Sequence, residues 1–281
     1  MTIYPNKFQS FAKRAEGGLS IFVPPGLLSG GTDGTAPGAV TTANIKELVY
    51  NRYSAGIGPD APNQTKSATV WVRLGSTMKR FVGVKFGQAD FQVNKGQPLV
   101  VNLSAMAFGA HMVSTFNFAA PTFWTSAVYG GDHATLRIGD DSIASGTMVN
   151  PTAVNNADNL NFSINNKLDD DPHRLWASPY PRRMYNRDRE VTGSIEADYL
   201  GSTEYQRFVD GTLSSLDVVV ARKISTTTYS VTMTFPRIRY DSHTGANARG
   251  QKDEIVKQNM GFKALGGISG VHSDPREIRW D

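Results

Sequence analysis

The 281-residue sequence contains no cysteine, which excludes disulfide scaffolds, cysteine-ligated zinc, iron–sulfur clusters and thiol nucleophiles. Charge is scarce too. Charged residues make up 19% of the chain, and 29 basic against 25 acidic residues leave a net +4, far short of the concentrated basic face that gripping phosphates requires. No run approaches the roughly 18 apolar residues of a membrane span. The start, MTIYPNKFQSFAKRAEGG, has no apolar stretch after its first charges, so no signal peptide is expected and the protein should be soluble and made in a cytosol. Neither a G-x-x-x-x-G-K-[ST] phosphate loop nor a G-x-S-x-G elbow occurs, and the glycines concentrate in turns. The five histidines, His111, His133, His173, His243 and His272, are dispersed, without the i, i+2 or i, i+4 spacing that brings two imidazoles to one metal. No cofactor or metal is expected.

What is present favours strands and turns. Hydrophobic residues account for 40% and aromatics for 10%, with Gly, Ser, Thr and Asn standing where Lys and Glu often sit. Residues 1–23 read as an N-terminal arm with a short strand at Leu19–Val23. Residues 24–66, punctuated by Pro24-Pro25, Gly30-Gly31, Gly56, Gly58, Pro59 and Pro62, read as a long loop or extension. Within it, Ala43–Tyr53 fits a helical turn or a strand equally well. From residue 68 the pattern turns to β, with ATVWVRL, KRFVGVKFG and DFQVNKGQPLVVNLSA rich in β-branched and aromatic residues. Asn94-Lys95-Gly96 suits a hairpin tip. ATLRIGDDSIAS reads as two short strands around a Gly139-Asp140-Asp141 turn.

Residues 158–265 are the most regular. Leu160, Phe162 and Ile164 alternate with polar residues, as do Val191, Gly193, Ile195, Ala197 and Tyr199 with Thr192, Ser194, Glu196 and Asp198. Each segment is a strand with one buried face. GSTEYQRFVDG has the marks of a short helix: Ser202 as N-cap, Glu204 in the first turn, Tyr205, Phe208 and Val209 at helical spacing, and Gly211 as a stop. LDVVVARKI and TTTYSVTMTFPRIRY form an antiparallel hairpin around Ser225, with Tyr229, Val231, Met233 and Phe235 inward. Pro236 then shifts the phase to Ile238 and Tyr240, marking a bulge or an edge. DEIVKQNMGFKAL reads as a last strand, and residues 266–281 as a C-terminal arm. The whole is read as one domain, 1–281.

Chemical motifs are few. Asp169-Asp170-Asp171 lacks the glycine bend and terminal Glu of a calcium loop and reads as a solvated turn. Glu196 and Asp198 lie on a polar strand face with no apolar setting to raise a carboxyl pKa, so exposure or a subunit-facing role is expected of them. Arg174, Arg182, Arg183, Arg187 and Arg189 interleave with Trp176, Tyr180 and Tyr185, but Asp169, Asp170, Asp171, Asp188 and Glu190 share the window and cancel the charge. An interaction surface fits that loop better than nucleic acid, because Arg and large aromatics are enriched at protein interfaces. The plainer alternative is an ordered loop lying on its own domain.

The order NFSINNKL, a Pro- and Arg-rich loop, REVTGSIEADYL, STEYQRFVDGT, LDVVVARK, YSVTMTFPRIRYDS and DEIVKQNMGFKAL resembles the tail tube proteins of long-tailed bacteriophages. The likeness is close over a little more than a third of the chain and looser over residues 68–104; residues 24–66 and 105–150 depart from it. It implies a mainly β fold, a tail-tube-type β-sandwich or barrel with one short flanking α-helix, long loops and terminal arms. It also implies a non-enzymatic virion protein, made in the host cytoplasm, whose hexameric rings stack into a hollow tube. Through that tube genomic DNA passes transiently and without sequence specificity into the host. Tape measure, tail terminator and distal tail components are the implied partners. On this reading Glu196, Asp198, Ser194 and Thr192 face the lumen. Arg174, Trp176, Tyr180, Arg182, Arg183, Tyr185, Arg187 and Trp280 lie at subunit or ring interfaces. Two rivals are a carbohydrate-binding β-sandwich using Trp71, Trp124 or Trp176, and a hydrolase built on scattered carboxylates.

Overall fold

The computed structural model describes residues 5–11, 14–22, 49, 67–74, 77–107, 109–113, 128–142, 148–169, 185–186, 189–198, 203–224, 226–244, 257–266 and 278–280, and these are mainly β. The chain divides into two compact units. The first comprises Met1–Asp90, Val101–Ser126 and Ile164–Arg189; the second comprises Phe91–Val100, Ala127–Ser163 and Glu190–Asp281.

In the first unit, β1 (Pro5–Phe11) and β2 (Arg14–Phe22) form an antiparallel hairpin with Phe11 opposite Arg14. The arm read as one short strand near Leu19 thus contains two strands. β3 (Ala68–Leu74) turns into β4 (Thr77–Asn94), where the sequence pattern suggested two strands but the chain runs on without a break. A bulge takes the place of the break. The register slips between Ala68↔Val84 and Val70↔Phe81, and Gly83 there has φ 62°, a conformation that costs glycine nothing. After the bulge Val84, Lys85 and Phe86 are all buried, and burial lowers the Lys85 ammonium pKa. β5 (Val100–Ala107) and β6 (Gly109–Val113) flank β4.

Asn166 is the polar hub of this unit and is fully buried. Its Nδ2 donates to the carbonyls of Val49 at 2.8 Å and Phe86 at 3.2 Å. Its Oδ1 accepts from Arg189 Nε at 3.0 Å, and its backbone N–H donates to Gly87 at 2.7 Å. Between Asn166 and Arg189, β10 (Leu168–Asp169) pairs antiparallel with β11 (Tyr185–Asn186).

The second unit is a sheet in the order β9 (Ala157–Asn165), β12 (Glu190–Asp198), β15 (Lys257–Ala264), β14 (Thr227–Thr244), β13 (Ser214–Ile224), β7 (Ala134–Asp140), β8 (Val149–Ala153). Alternation is borne out: Leu160, Phe162, Val191, Ile195, Ala197, Met260, Phe262 and Ala264 are buried. Phe91 stacks on Phe162 at 4.5 Å, Phe162 meets Phe235 edge-on at 5.3 Å, and Phe235 meets Phe262 edge-on at 5.7 Å. β9 and β14 stand three places apart, which in a flat sheet is about 14 Å at ~4.8 Å per strand. The Phe162–Phe235 contact therefore requires the sheet to curl and bury one face on itself. Each ring pair contributes roughly 1 kcal/mol beyond its buried area.

The β13–β14 hairpin forms as read, and Pro236 sits in a bulge of an interior strand: Leu216 opposes Phe235, but Ser214 opposes Ile238. The Pro236 carbonyl accepts from Ser142 N–H at 2.9 Å and from Ser142 Oγ at 3.0 Å. Val231, Met233 and Phe235 are inward before the bulge, and Ile238 and Tyr240 after it. At the Asn94-Lys95-Gly96 tip, Gln97 N–H donates to Asn94 O at 3.1 Å and Gly96 has φ 69°.

Two local readings are corrected. Gly139 and Asp140 belong to β7, opposite Ser215 and Ser214, and are not a turn. The glycine is needed because a Cβ there would collide with the Val149 carbonyl and approach Met148 to 2.9 Å. Nor is β15 the last strand, since β16 (Arg279–Trp280) adds to β14 at Met233 and Thr234.

α1 (Thr203–Val209) ends as expected: Gly211 has φ 63°, its N–H donates to Phe208 O, and Thr212 N–H donates to Arg207 O, the paired closure of a Schellman motif. Ser202 lies outside the described residues. The helix rests on β14 through Tyr240, whose hydroxyl donates to Glu204 Oε2 at 3.1 Å, and through the His243 ring, 5.2 Å from Tyr205 and 6.0 Å from Phe208.

Replacing Asn166 with Leu strands the Val49 and Phe86 carbonyls and removes the acceptor for Arg189, so Asn166→Leu should lose about 3 kcal/mol or more in urea unfolding. The exposed Asn161→Ala should stay within about 0.5 kcal/mol of the parent. Equal midpoints for all three proteins would remove Asn166 as a hub.

Candidate functional site

Burying one side of β9, β12 and β15 fixes what the other side carries. On β12 the outer residues are Thr192, Ser194, Glu196 and Asp198, opposite Lys263, Gly261, Asn259 and Lys257 of β15. β9 adds Asn159, Asn161 and Ser163, which alternate with its buried positions. On β14, Arg239 stands opposite Lys263. Asp241 and Ser242 cover Gly261 so closely that a Cβ there would lie 2.9 Å from Asp241 Oδ1. Gly193 is equally constrained, with the Phe262 ring at 2.5 Å and the Asn161 carbonyl at 2.6 Å from a Cβ position.

The lysines of this face are held by carboxylates. Lys257 Nζ lies 2.8 Å from Asp158 Oδ2 and 3.3 Å from Glu196 Oε1. Asn159 Nδ2 donates to Glu196 Oε2 at 2.7 Å. Lys95 approaches Asp158 Oδ1 at 3.6 Å, and Lys263 reaches Glu190 Oε1 at 2.5 Å. The Asn159 hydrogen bond, then Lys257, holds the Glu196 carboxyl below the usual carboxylate range. Asp158 is lowered first by its hydrogen bond from Lys257. The same two acids, Asp158 first, raise Lys257.

Asp198 closes the end of β12 through its backbone: its N–H donates to Asn156 O at 3.0 Å and its carbonyl accepts from Asn156 Nδ2. Beside it is a cleft of about 340 Å³ whose polar lining includes Lys95, Asp132, Asn156, Asp158, Asn159 and Asp198. Among the described residues no group of three His, Asp or Glu is placed to hold a metal ion, and no helix is long and apolar enough to cross a membrane. His133 has a local role, its Nδ1 accepting from Gly130 N–H at 3.0 Å. The face offers amides, hydroxyls and paired charges, which suit weak, reversible contact with a polar solute.

The four β12 candidates thus share one face, as the alternation implied. Arg174, Trp176, Tyr180, Arg182, Arg183 and Arg187 lie outside the described residues, as do Trp124 and the side chains of Trp71, Tyr185 and Trp280. The backbone of Tyr185 pairs with Asp169 in β11, and that of Trp280 with Met233 in β16. Sequence reasoning missed Asn159, Asp158 and Lys257. Their only sequence signal was the alternation of Lys257, Asn259, Gly261 and Lys263 along β15, which is informative once β15 is known to pair with β12.

The pH dependence follows from these shifts. Lowered acids stabilise the fold above their unfolded values and lose that contribution as pH falls through the folded ones; a raised lysine contributes below its unfolded value and loses the contribution in strong alkali. Lys257→Met should therefore lower the urea midpoint at pH 7, with the difference fading below about pH 3 and above about pH 11. A midpoint difference that persists unchanged from pH 7 down to about pH 2 would show that the ion pairs contribute nothing.

A family model described as phage tail tube protein matches residues 11–264. No curated protein sequence matches the chain.

Proposed function

The chain belongs to the phage tail tube protein family, and on that premise we propose that its copies form hexameric rings that stack into the tail tube, with the polar face of β9, β12 and β15 lining the passage for DNA. Family membership makes this a structural protein of the virion tail that assembles with other tail proteins. The sixfold order, and the tape measure, terminator and distal components as neighbours, come from the family resemblance. Self-assembly through sheet edges would also leave few of them open to uncontrolled pairing.

The observation that carries the lumen assignment is the neutralised charge of the polar face. Each phosphate that a free cation neutralises adds affinity through counterion release, which would hold DNA that must slide. Lys257 and Lys263 are committed to Asp158, Glu196 and Glu190, and Asp198 and Asp241 add negative charge against Arg239. DNA would meet hydrogen-bonding groups with no surplus of positive charge.

Electron microscopy of the concentrated protein should show rings or tubes about 100 Å wide, a width scaled from sixfold packing of compact chains of this length. Monomers at every concentration, with sugar-dependent thermal stabilisation, would instead favour the carbohydrate-binding rival. Changing Glu196 and Asp198 together to Lys should leave tubes intact but lower the infectivity of particles that carry them. Loss of the tubes themselves would place these side chains in a subunit contact.

A further inference from the structure

The large apolar residues exposed among the described ones are Val149 at 36%, Tyr205 at 45% and Val209 at 56%. All lie on two elements, β8 and α1. Asp140 ties these together: its Oδ2 accepts from Asn150 Nδ2 of β8 at 2.8 Å, and its Oδ1 lies 3.8 Å from Arg207 Nη2 of α1. Isolated helices shorter than about 12–15 residues are marginal in water. α1 has seven residues and fully buries none of them, and Tyr205 and Val209 keep about half of their surface open.

The form of that cover is restricted. β8 is an edge strand, paired only with β7 among the described residues. Pro151 has no N–H, Asn150 has φ 47°, and the register slips between Ile138↔Thr152 and Asp140↔Val149. A bulged, proline-bearing edge resists the addition of another strand. Contact must come through side chains. Its rim is acidic, with Asp140, Glu204 and Asp210 around Arg207.

The same chain holds a segment of complementary character. Residues 172–187 carry Arg174, Arg182, Arg183 and Arg187 with Trp176, Tyr180 and Tyr185 and contain no Asp or Glu, because the acids of that region fall outside it. Its base is fixed by the β10–β11 pairing and by the Asn166–Arg189 hydrogen bond. We propose that the β8–α1 patch of one copy receives residues 172–187 of a second copy, aromatics on Val149, Tyr205 and Val209 and guanidinium groups on the acidic rim. The inference rests on the ring-forming reading above and names the surfaces that meet.

The absence of native cysteine makes a direct test available. Val209→Cys and Arg183→Cys are prepared separately, mixed, assembled and treated with a short bis-maleimide. A cross-linked dimer is expected from the mixture and not from either variant alone. Rings without that dimer would overturn the inference while leaving the tube reading in place. Failure of the parent chain to form rings at any concentration would overturn both. A cross-link within one chain, in the dilute double variant where no rings exist, would also overturn it. As an independent readout, the exposed pair Val149→Ser and Val209→Ser should keep the parent's unfolding midpoint yet raise the concentration needed for ring formation at least tenfold. Unchanged assembly would count against the patch.

Discussion

Side chains alternate across a strand, and in the second unit that geometric rule decides both core and surface. Once Phe162, Ile195, Met260 and Phe262 are drawn into one aromatic-rich interior, their neighbours Asn161, Ser194, Glu196, Asn259 and Gly261 can only face the other way. The curl that brings Phe162 onto Phe235 buries the apolar face inside the sheet, so the polar face needs no second layer from within the unit. A register slip of one residue would exchange the two faces. Positions 193 and 261 leave no room for a Cβ, so a slip that put any other residue there would clash.

The electrostatic character of the polar face comes from pairing more than from composition. Lys257 lies between Asp158 and Glu196, and Asn159 completes the second carboxylate. None of these groups is deeply buried, so the network contributes modestly to stability. Its larger consequence is to withdraw positive charge from a surface that would otherwise attract phosphate. Family membership makes the chain a tail tube protein, and the lumen role proposed for this face rests on the local charge balance alone.

Much of this architecture was legible in sequence wherever the determining signal was local. Leu160 and Phe162, Val191 and Ile195, and the phase change at Pro236 all announce themselves through period-two patterning. Gly211 announces the helix stop because glycine readily takes the left-handed φ that such a stop needs. What stayed hidden depended on partners distant in sequence. The Gly83 bulge, which keeps β4 continuous and turns Lys85 inward, is defined only against β3. Gly139 resembles a turn residue until β8 crosses close to it. Lys257 neutralises Asp158 from far along the chain. Tyr205, Phe208 and Val209 have the spacing of a core-facing stripe, yet α1 leaves Tyr205 and Val209 exposed, which a hydrophobic pattern alone cannot distinguish from burial.

A side-chain-resolution reconstruction of assembled tubes by electron cryomicroscopy tests the central claim most directly, because it shows which way β12 faces. The account predicts Asn159, Ser194, Glu196 and Asn259 on the inner wall, with Lys257 still bridged to Asp158 and Glu196. Finding that face on the outer surface, or buried between subunits, would contradict it.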